Sequence, residues 1–367
     1  MKTKSIYLAL ILLSTISWSC TTNQNELSQG TLKTSLNKSV QELTTAMGKI
    51  SATDGYQVLS ISSTGTSASL VKSSVAAFDS TYSSILLSDI AGVYDYKATR
   101  ARGGSILKYF TKSAESALMV VNLPKEKVKN PSALFHYAPS DTLLTNNYVF
   151  SLSKYNRYFK EYKPRSWYWD YDMASNISID NVNVGDLKIQ SSNTAATGYK
   201  IASEFVFADK YVAKCVYATG DTAVATYNVS DGTKTLYEEK YTAIKTIKTF
   251  GKHREQEYSL TIGNVQIIRK QGPNALDSAK VYVAGVLQLN SKVEIVEIAA
   301  DSAVVDNSIV NHKRDLKITF DDGTSSTLTE LLGTSLDTIR TLFASLRQAS
   351  FATSVIDTIA WDIYSNK

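Results

Sequence analysis

From Ile201 to Ile244 apolar and polar residues alternate, and short turn-forming groups interrupt the alternation at regular intervals. Ile201, Ser203, Phe205 and Phe207 share one phase, with Ala202, Glu204 and Val206 in the other. A turn at Ala208-Asp209 then leads to a return strand from Tyr211 to Tyr217. Thr219-Gly220-Asp221 and Ser230-Asp231-Gly232 punctuate two further strands. A period of two puts alternate side chains on opposite faces of a strand, and short polar turns between such runs specify antiparallel neighbours. A chain with this pattern is constrained to a mainly β fold built on an antiparallel meander. A curved half-barrel and a sandwich are the two ways of arranging its sheet or sheets.

The same pattern continues downstream. Tyr258, Leu260 and Ile262 alternate up to Gly263-Asn264, and Val265 and Ile267 resume in the opposite phase, which marks a turn or bulge. Val281 to Leu287 reads similarly around Gly285, and Leu316, Ile318 and Phe320 lead into Asp321-Asp322-Gly323 as a last hairpin. Upstream, Asp89 to Tyr96 reads as a turn entering a strand. Helical spacing appears at the two ends. Leu32, Leu36, Val40, Leu43 and Met47 fall on one face of a helix over about 31–49. Near the C-terminus, Ser335 can cap a helix carrying Leu336, Ile339, Phe343 and Leu346, and a second helix carries Phe351, Val355, Ile359 and Ile363. Two amphipathic helices closing a β domain are expected to cover an open face or end of its sheet.

The first residues follow a different logic. Lys2 and Lys4 precede the apolar run Ile6 to Leu13, which ends in Ser17-Trp18-Ser19-Cys20 and is followed by the polar stretch Thr21 to Glu26. The run is shorter than the roughly 20 residues that span a bilayer, so it reads as an export signal. A cysteine in this position resembles the processing site of bacterial lipoproteins. Ser17 replaces the usual aliphatic residue three places before the cysteine, a looseness found among lipoproteins of the Bacteroidota. The resemblance covers about the first 25 residues and implies cleavage before Cys20, lipid on its sulfur and attachment to a membrane, the outer membrane by family analogy. Several acyl chains at about 0.8 kcal/mol per buried CH₂ hold far more firmly than one.

The expected organisation is therefore a signal peptide over 1–19, a polar tether over 20–30, a helix and a Ser/Thr-rich segment over 31–81, an antiparallel β region over 82–334 that comprises one or two β units, and a helical pair over 335–367. With 43% hydrophobic and 20% charged residues, the chain has material for an ordinary globular core. The net charge of +5 falls to +3 without Lys2 and Lys4 and is dispersed, which argues against a nucleic-acid partner. Once Cys20 is lipidated, only Cys215 remains, so neither an internal disulfide nor a cysteine metal cluster is expected. A lone thiol in a strand pattern is read as a small buried hydrophobe.

Catalytic constellations are not evident. His136, His253 and His312 have no metal-ligand spacing, and no cofactor or metal is expected. Ser69-Leu70-Val71-Lys72 matches the Ser-x-x-Lys pattern of penicillin-recognising acyl enzymes. No Lys-Thr-Gly accompanies it, and the pattern recurs at Ser35 to Lys38 and Ser151 to Lys154, as chance predicts in a chain rich in Ser and Lys. The compositional anomaly is aromatic. Tyr155, Tyr158, Phe159 and Tyr162 have the spacing of a helical face cut off by Pro164, and Trp167, Trp169 and Tyr171 alternate as one face of a strand. Tyr162, Trp167, Trp169 and Tyr171, beside Arg165, Asp170 and Asp172, are the candidate ligand-binding group, suited to the apolar faces and hydroxyls of a sugar. Such residues also supply bulk at a sheet edge or core.

The leading expectation is a noncatalytic, lipid-anchored structural or interaction module of the cell envelope, with an envelope protein as its partner. A binding protein for glycan or an apolar ligand is the alternative. The sheet-plus-helices pattern is similar in outline to the half-barrels of periplasmic lipid and lipoprotein carriers. A hydrolase of unrecognised type is the third possibility.

Overall fold

A computed structural model describes residues 31–57, 59, 83–100, 105–129, 137–161, 167–194, 198–248, 251–272, 275–297, 314–347 and 350–366. Cys20, Tyr162, His136 and His312 lie outside these residues.

The chain opens with helix α1 (Thr31–Ser51). Strands β1 (Ser83–Leu86), β2 (Gly92–Tyr96), β3 (Phe110–Ala114) and β4 (Met119–Leu123) follow, with short helices α2 (Leu87–Ile90) and α3 (Lys125–Lys129). The meander comprises β5 (Tyr148–Glu161), β6 (Trp167–Ile179), β7 (Val182–Thr194), β8 (Gly198–Phe207), β9 (Val212–Ala218), β10 (Thr222–Ser230) and β11 (Thr235–Lys248). It continues through β12 (Gly251–Ile262), β13 (Val265–Gly272), β14 (Ala275–Val283) and β15 (Val286–Leu287). A small separate sheet is formed by β16 (Lys292–Glu297), β17 (Arg314–Thr319) and β18 (Ser325–Thr327). Helices α4 (Leu328–Leu332), α5 (Thr334–Arg347) and α6 (Ser350–Ser365) end the chain.

Strands β5 to β15 pair strictly in sequence order, and β4, β2 and β3 extend the same open sheet beyond β5. All its pairings are antiparallel except β2 with β4. The turns obey the chemistry of two-residue hairpins. Asp180-Asn181 and Ala284-Gly285 both take positive φ, as the right-handed twist of the flanking strands demands. Gly263, at φ 58°, has a second reason to lack a side chain, because a Cβ there would lie 2.5 Å from Ser39 Oγ on α1. Ser39 instead donates to Asn264 Oδ1 at 3.1 Å, which locks the helix to this turn.

The register carries three continuous rows of side chains across ten strands on the covered face. The first runs Leu152, Ser175, Leu187, Phe205, Ala213, Val229, Tyr237, Ile262, Val265, Val283. Apart from Ser175 it is apolar or aromatic, and all ten residues are buried. The second row runs from Tyr155 through Cys215, Tyr227 and Glu239 to Val281, and the third from Arg157 through Tyr217, Tyr241 and Tyr258 to Arg269 and Ala279. Polarity therefore rises from row to row along the strands. Cys215 is buried in the second row, the small hydrophobe its strand pattern indicated.

α1 lies across the apolar end. Its buried stripe of Leu32, Leu36, Val40, Leu43 and Met47 is the expected one with Ile50 added, and the helix ends two residues beyond the expected boundary. At its start Lys33 bonds Asp322 Oδ2 and Thr324 Oγ1 in the β17–β18 turn, both at 2.9 Å. Just beyond its end, Gly55 packs on Val184 and Phe205 of β7 and β8. Twenty-one residues span about 31 Å at 1.5 Å each, close to the roughly 34 Å between β7 and β14 at 4.8 Å per strand. α5 runs beside α1 over β8 and β9, where Ser203 donates to the Leu346 carbonyl at 3.3 Å. α6 covers β5 and β6, with Tyr155 donating to Asp357 Oδ1 at 2.8 Å.

The opposite face is wet. Glu204 sits between Lys188 and Lys214 at 3.4 and 3.3 Å, and Lys270 meets Glu257 at 2.9 Å. Exposed pairs of this kind add little stability, but they account for the strict polar alternation.

Three expectations change. The helical spacing of Tyr155, Tyr158 and Phe159 lies in β5, where pairing with β1 and β6 overrides it. Tyr155 is buried there, and Tyr158, three positions on and facing the other way, is 44% exposed. Ser335 is the second residue of α5, not its cap, because Gly333 alone separates that helix from α4. Asp89 and Ile90 belong to the short helix α2, so the turn before β2 is helical.

Candidate functional site

A cleft of about 850 Å³ opens between the covered face of β10–β14 on one side and α4, α5 and the small sheet on the other. Its size falls within the range of small-molecule sites, roughly 300 to 1,000 Å³. The cover contributes the apolar Val293, Ile295, Leu316, Leu336, Ile339 and Phe343, interspersed with the charged Glu294, Asp315 and Arg340. The sheet contributes Tyr241, Gln256, Tyr258, Arg269 and Gln271, which come from the third row and the one beyond it. The cover thus supplies most of the aliphatic lining, and the sheet supplies the tyrosines and glutamines.

Phe343 anchors the boundary between cleft and core. Its ring lies 5.2 Å from that of Tyr227 and 6.2 Å from that of Tyr237, both distances of favourable aromatic contact. Below it Tyr237 donates to Glu239 Oε1 at 2.5 Å, and Tyr258 also bonds this carboxylate. Burial, and after it the Glu239 charge, pushes both phenols well above their ordinary value. They remain neutral donors that hold the Glu239 side chain in place on the sheet side. Arg340 of α5 also lines the cleft and is steered by Asp337 at 3.3 Å.

Among the described residues the lining includes no Ser, Cys or His, and its ionisable groups are Glu239, Glu294, Asp315, Arg269, Arg340 and the tyrosines. Among the described residues no group of three or more His, Cys, Asp and Glu gathers in a geometry that could hold a metal ion. What the arrangement can do is bind, by burying an apolar surface against the cover while satisfying polar groups on the sheet.

The residues singled out in the sequence fall elsewhere. Cys20 and Tyr162 lie outside the described residues. Trp167 and Trp169 are in β6, with their backbones opposite Glu161 and Phe159. Tyr171 is buried beneath α6 rather than open to a ligand, its ring edge-on to Tyr155 at 5.8 Å and its hydroxyl 3.2 Å from Met173 Sδ. Tyr155, Tyr171 and Arg157 surround Asp357, whose carboxyl is raised by burial against the opposing pull of Arg157 and the tyrosine hydroxyls. This group fastens α6 to the sheet. Asp321-Asp322-Gly323 is a turn, as its composition indicated. Lys33 and Thr324 hold the Asp322 carboxyl down at about 2.

The cleft residues were overlooked for an identifiable reason. Tyr237, Glu239 and Tyr241 occupy the phase of β11 that faces inward, where polar and aromatic residues break the apolar rule. That breach is a sequence signal for a lined cavity, but it is spread over several strands that only the register unites. Comparisons with family models, curated proteins and solved structures found no match to this chain.

Proposed function

We propose that this chain is a noncatalytic lipoprotein of the cell envelope whose cleft binds an amphiphilic molecule. The observation that carries this is the mixed lining of the 850 Å³ cleft, mainly aliphatic on the cover and mainly aromatic and polar on the sheet. An apolar tail against Leu316, Leu336 and Ile339 leaves the solvent with its hydrophobic benefit of about 25 cal/mol per Å². A polar head then meets Gln256, Arg269 and Gln271 instead of unpaired backbone. The envelope address comes from the lipoprotein-like context of Cys20, and a tether of ten or so residues places the sheet next to the membrane that supplies amphiphiles.

Ala279 faces Arg269 within the cleft and is small, so Ala279→Trp fills the space without removing a core contact. The full chain carrying Cys20→Ala, which keeps it out of the membrane, is titrated calorimetrically with decanoate below its micelle concentration. Binding is expected, and Ala279→Trp is expected to weaken it at least tenfold. No binding by the parent, or undiminished binding by the variant, overturns the proposal. Separately, Cys20→Ala is expected to abolish palmitate labelling and membrane retention in cells, and labelling that persists removes the anchor.

A further inference from the structure

At the polar end of the covered face, beyond α5, the third row brings Tyr217, Ala225 and Tyr241 side by side on β9, β10 and β11. Ala223 continues the small floor of β10 by two residues. Unlike the neighbouring tyrosines of the second row, Tyr217 and Tyr241 are 46% and 37% exposed. Side chains stand roughly perpendicular to a sheet, so two tyrosines separated by one alanine strand form the walls of a trough. Each wall rises about 4.8 Å from the trough's midline, which is within the roughly 4.5 to 7 Å separation of stacked rings. One flat or chair-shaped ring fits between them. The trough is not isolated, because Tyr241 also lines the cleft, and Gln256 and Arg269 lie one and two strands farther along.

We infer that this trough is the subsite for the head of the cleft's ligand, and that the head is a saccharide ring. The inference rests on the cleft binding an amphiphile and adds the class of its polar part. A sugar ring presents C–H faces that stack on phenol rings and, around its rim, vicinal hydroxyls. The planar amide of Gln256 can both donate to and accept from such hydroxyls, and the guanidinium of Arg269 can donate to a neighbouring pair of them. A fatty-acid carboxylate would use the arginine and leave the aromatic walls idle. The trough is therefore expected to distinguish an alkyl glycoside from a fatty acid of equal chain length.

The test compares n-decyl maltoside with decanoate, both below their micelle concentrations, on the full chain carrying Cys20→Ala. The parent is expected to bind the maltoside at least tenfold more tightly. Ala225→Phe, which fills the trough, and Tyr217→Ala, which removes one wall, are each expected to erase most of that preference. Thermal unfolding of both variants checks that the sheet is intact; Tyr217 is exposed, so its truncation leaves no core cavity. Decanoate binding without preference for the maltoside, or a preference unchanged in both variants, overturns the saccharide inference and leaves the amphiphile cleft standing. Failure of the parent to bind either probe overturns both.

Discussion

Asp141→Ala is expected to lower the unfolding free energy by about 3 to 5 kcal/mol, the usual cost of stranding one partner of a buried ion pair. Lys127 meets Asp141 at 2.7 Å, and the two side chains are only 6% and 7% exposed. The carboxylate also accepts the Ala138 backbone N–H at 2.7 Å. Without it the buried ammonium loses the carboxylate that lies 2.7 Å from it. Burial alone would raise the Asp141 carboxyl, but the Lys127 hydrogen bond, the Ala138 N–H and the Lys127 charge together hold it below its ordinary 3.8. The sign of the pH dependence follows. The stabilisation is complete above the unfolded-chain value near 3.8 and disappears as pH falls through the lower folded value. Denaturant titrations between pH 6 and pH 2 should show an acid loss in the parent that is shallower in Asp141→Asn. Nearby Tyr96, pushed up to about 12 first by burial and then by the Asp141 charge, should report the same variant through a lowered phenol pKa.

Phe343→Ala should rank beside it, at about 3 to 5 kcal/mol for an aromatic ring deleted from a packed site. The ring is buried against Tyr227 of β10 and Tyr237 of β11, where it is the aromatic member of an α5 face that also buries Leu336, Ile339, Leu342 and Leu346. The cavity left behind opens into the cleft. Urea denaturation measures the loss, and decanoate titration of the same variant should show weaker binding, because the wall that orders the apolar tail is gone. A loss below about 1 kcal/mol would mean that α5 is held from elsewhere.

The two effects differ in how far the sequence announces them. Strands β8 to β13 were legible because one sheet face is solvated and the other buried, so the buried Phe205, Phe207, Leu260 and Ile262 recur at a period of two. The stripe of α1 was legible for the same reason at a period near 3.6. Tyr155 and Tyr158 misled, because spacings of three and four also occur by chance in a long strand dense in aromatics. The tryptophans of β6 drew attention by local density, while the cleft's tyrosines at 227, 237, 241 and 258 are spread over three strands. Phe343 read as a packing residue, which it is. That its packing partner also roofs a cavity depends on α5 crossing strands more than 80 residues earlier, and no local pattern encodes that.

Lys33 and Asp322 are 289 residues apart, yet they join the first helix to the last hairpin. The meander itself needs no such reach: each strand from β5 to β15 pairs with the one synthesised just before it. Local pairing carries little loop-closure entropy and zips quickly, whereas contacts across the whole chain are slow to form. The sheet is thus expected to assemble in order behind a first helix that cannot settle until the end of the chain has been delivered. Until the last hairpin and α5 arrive, the apolar stripe of α1 has only the strands of the sheet to cover it, which makes this helix the segment most open to a chaperone during folding.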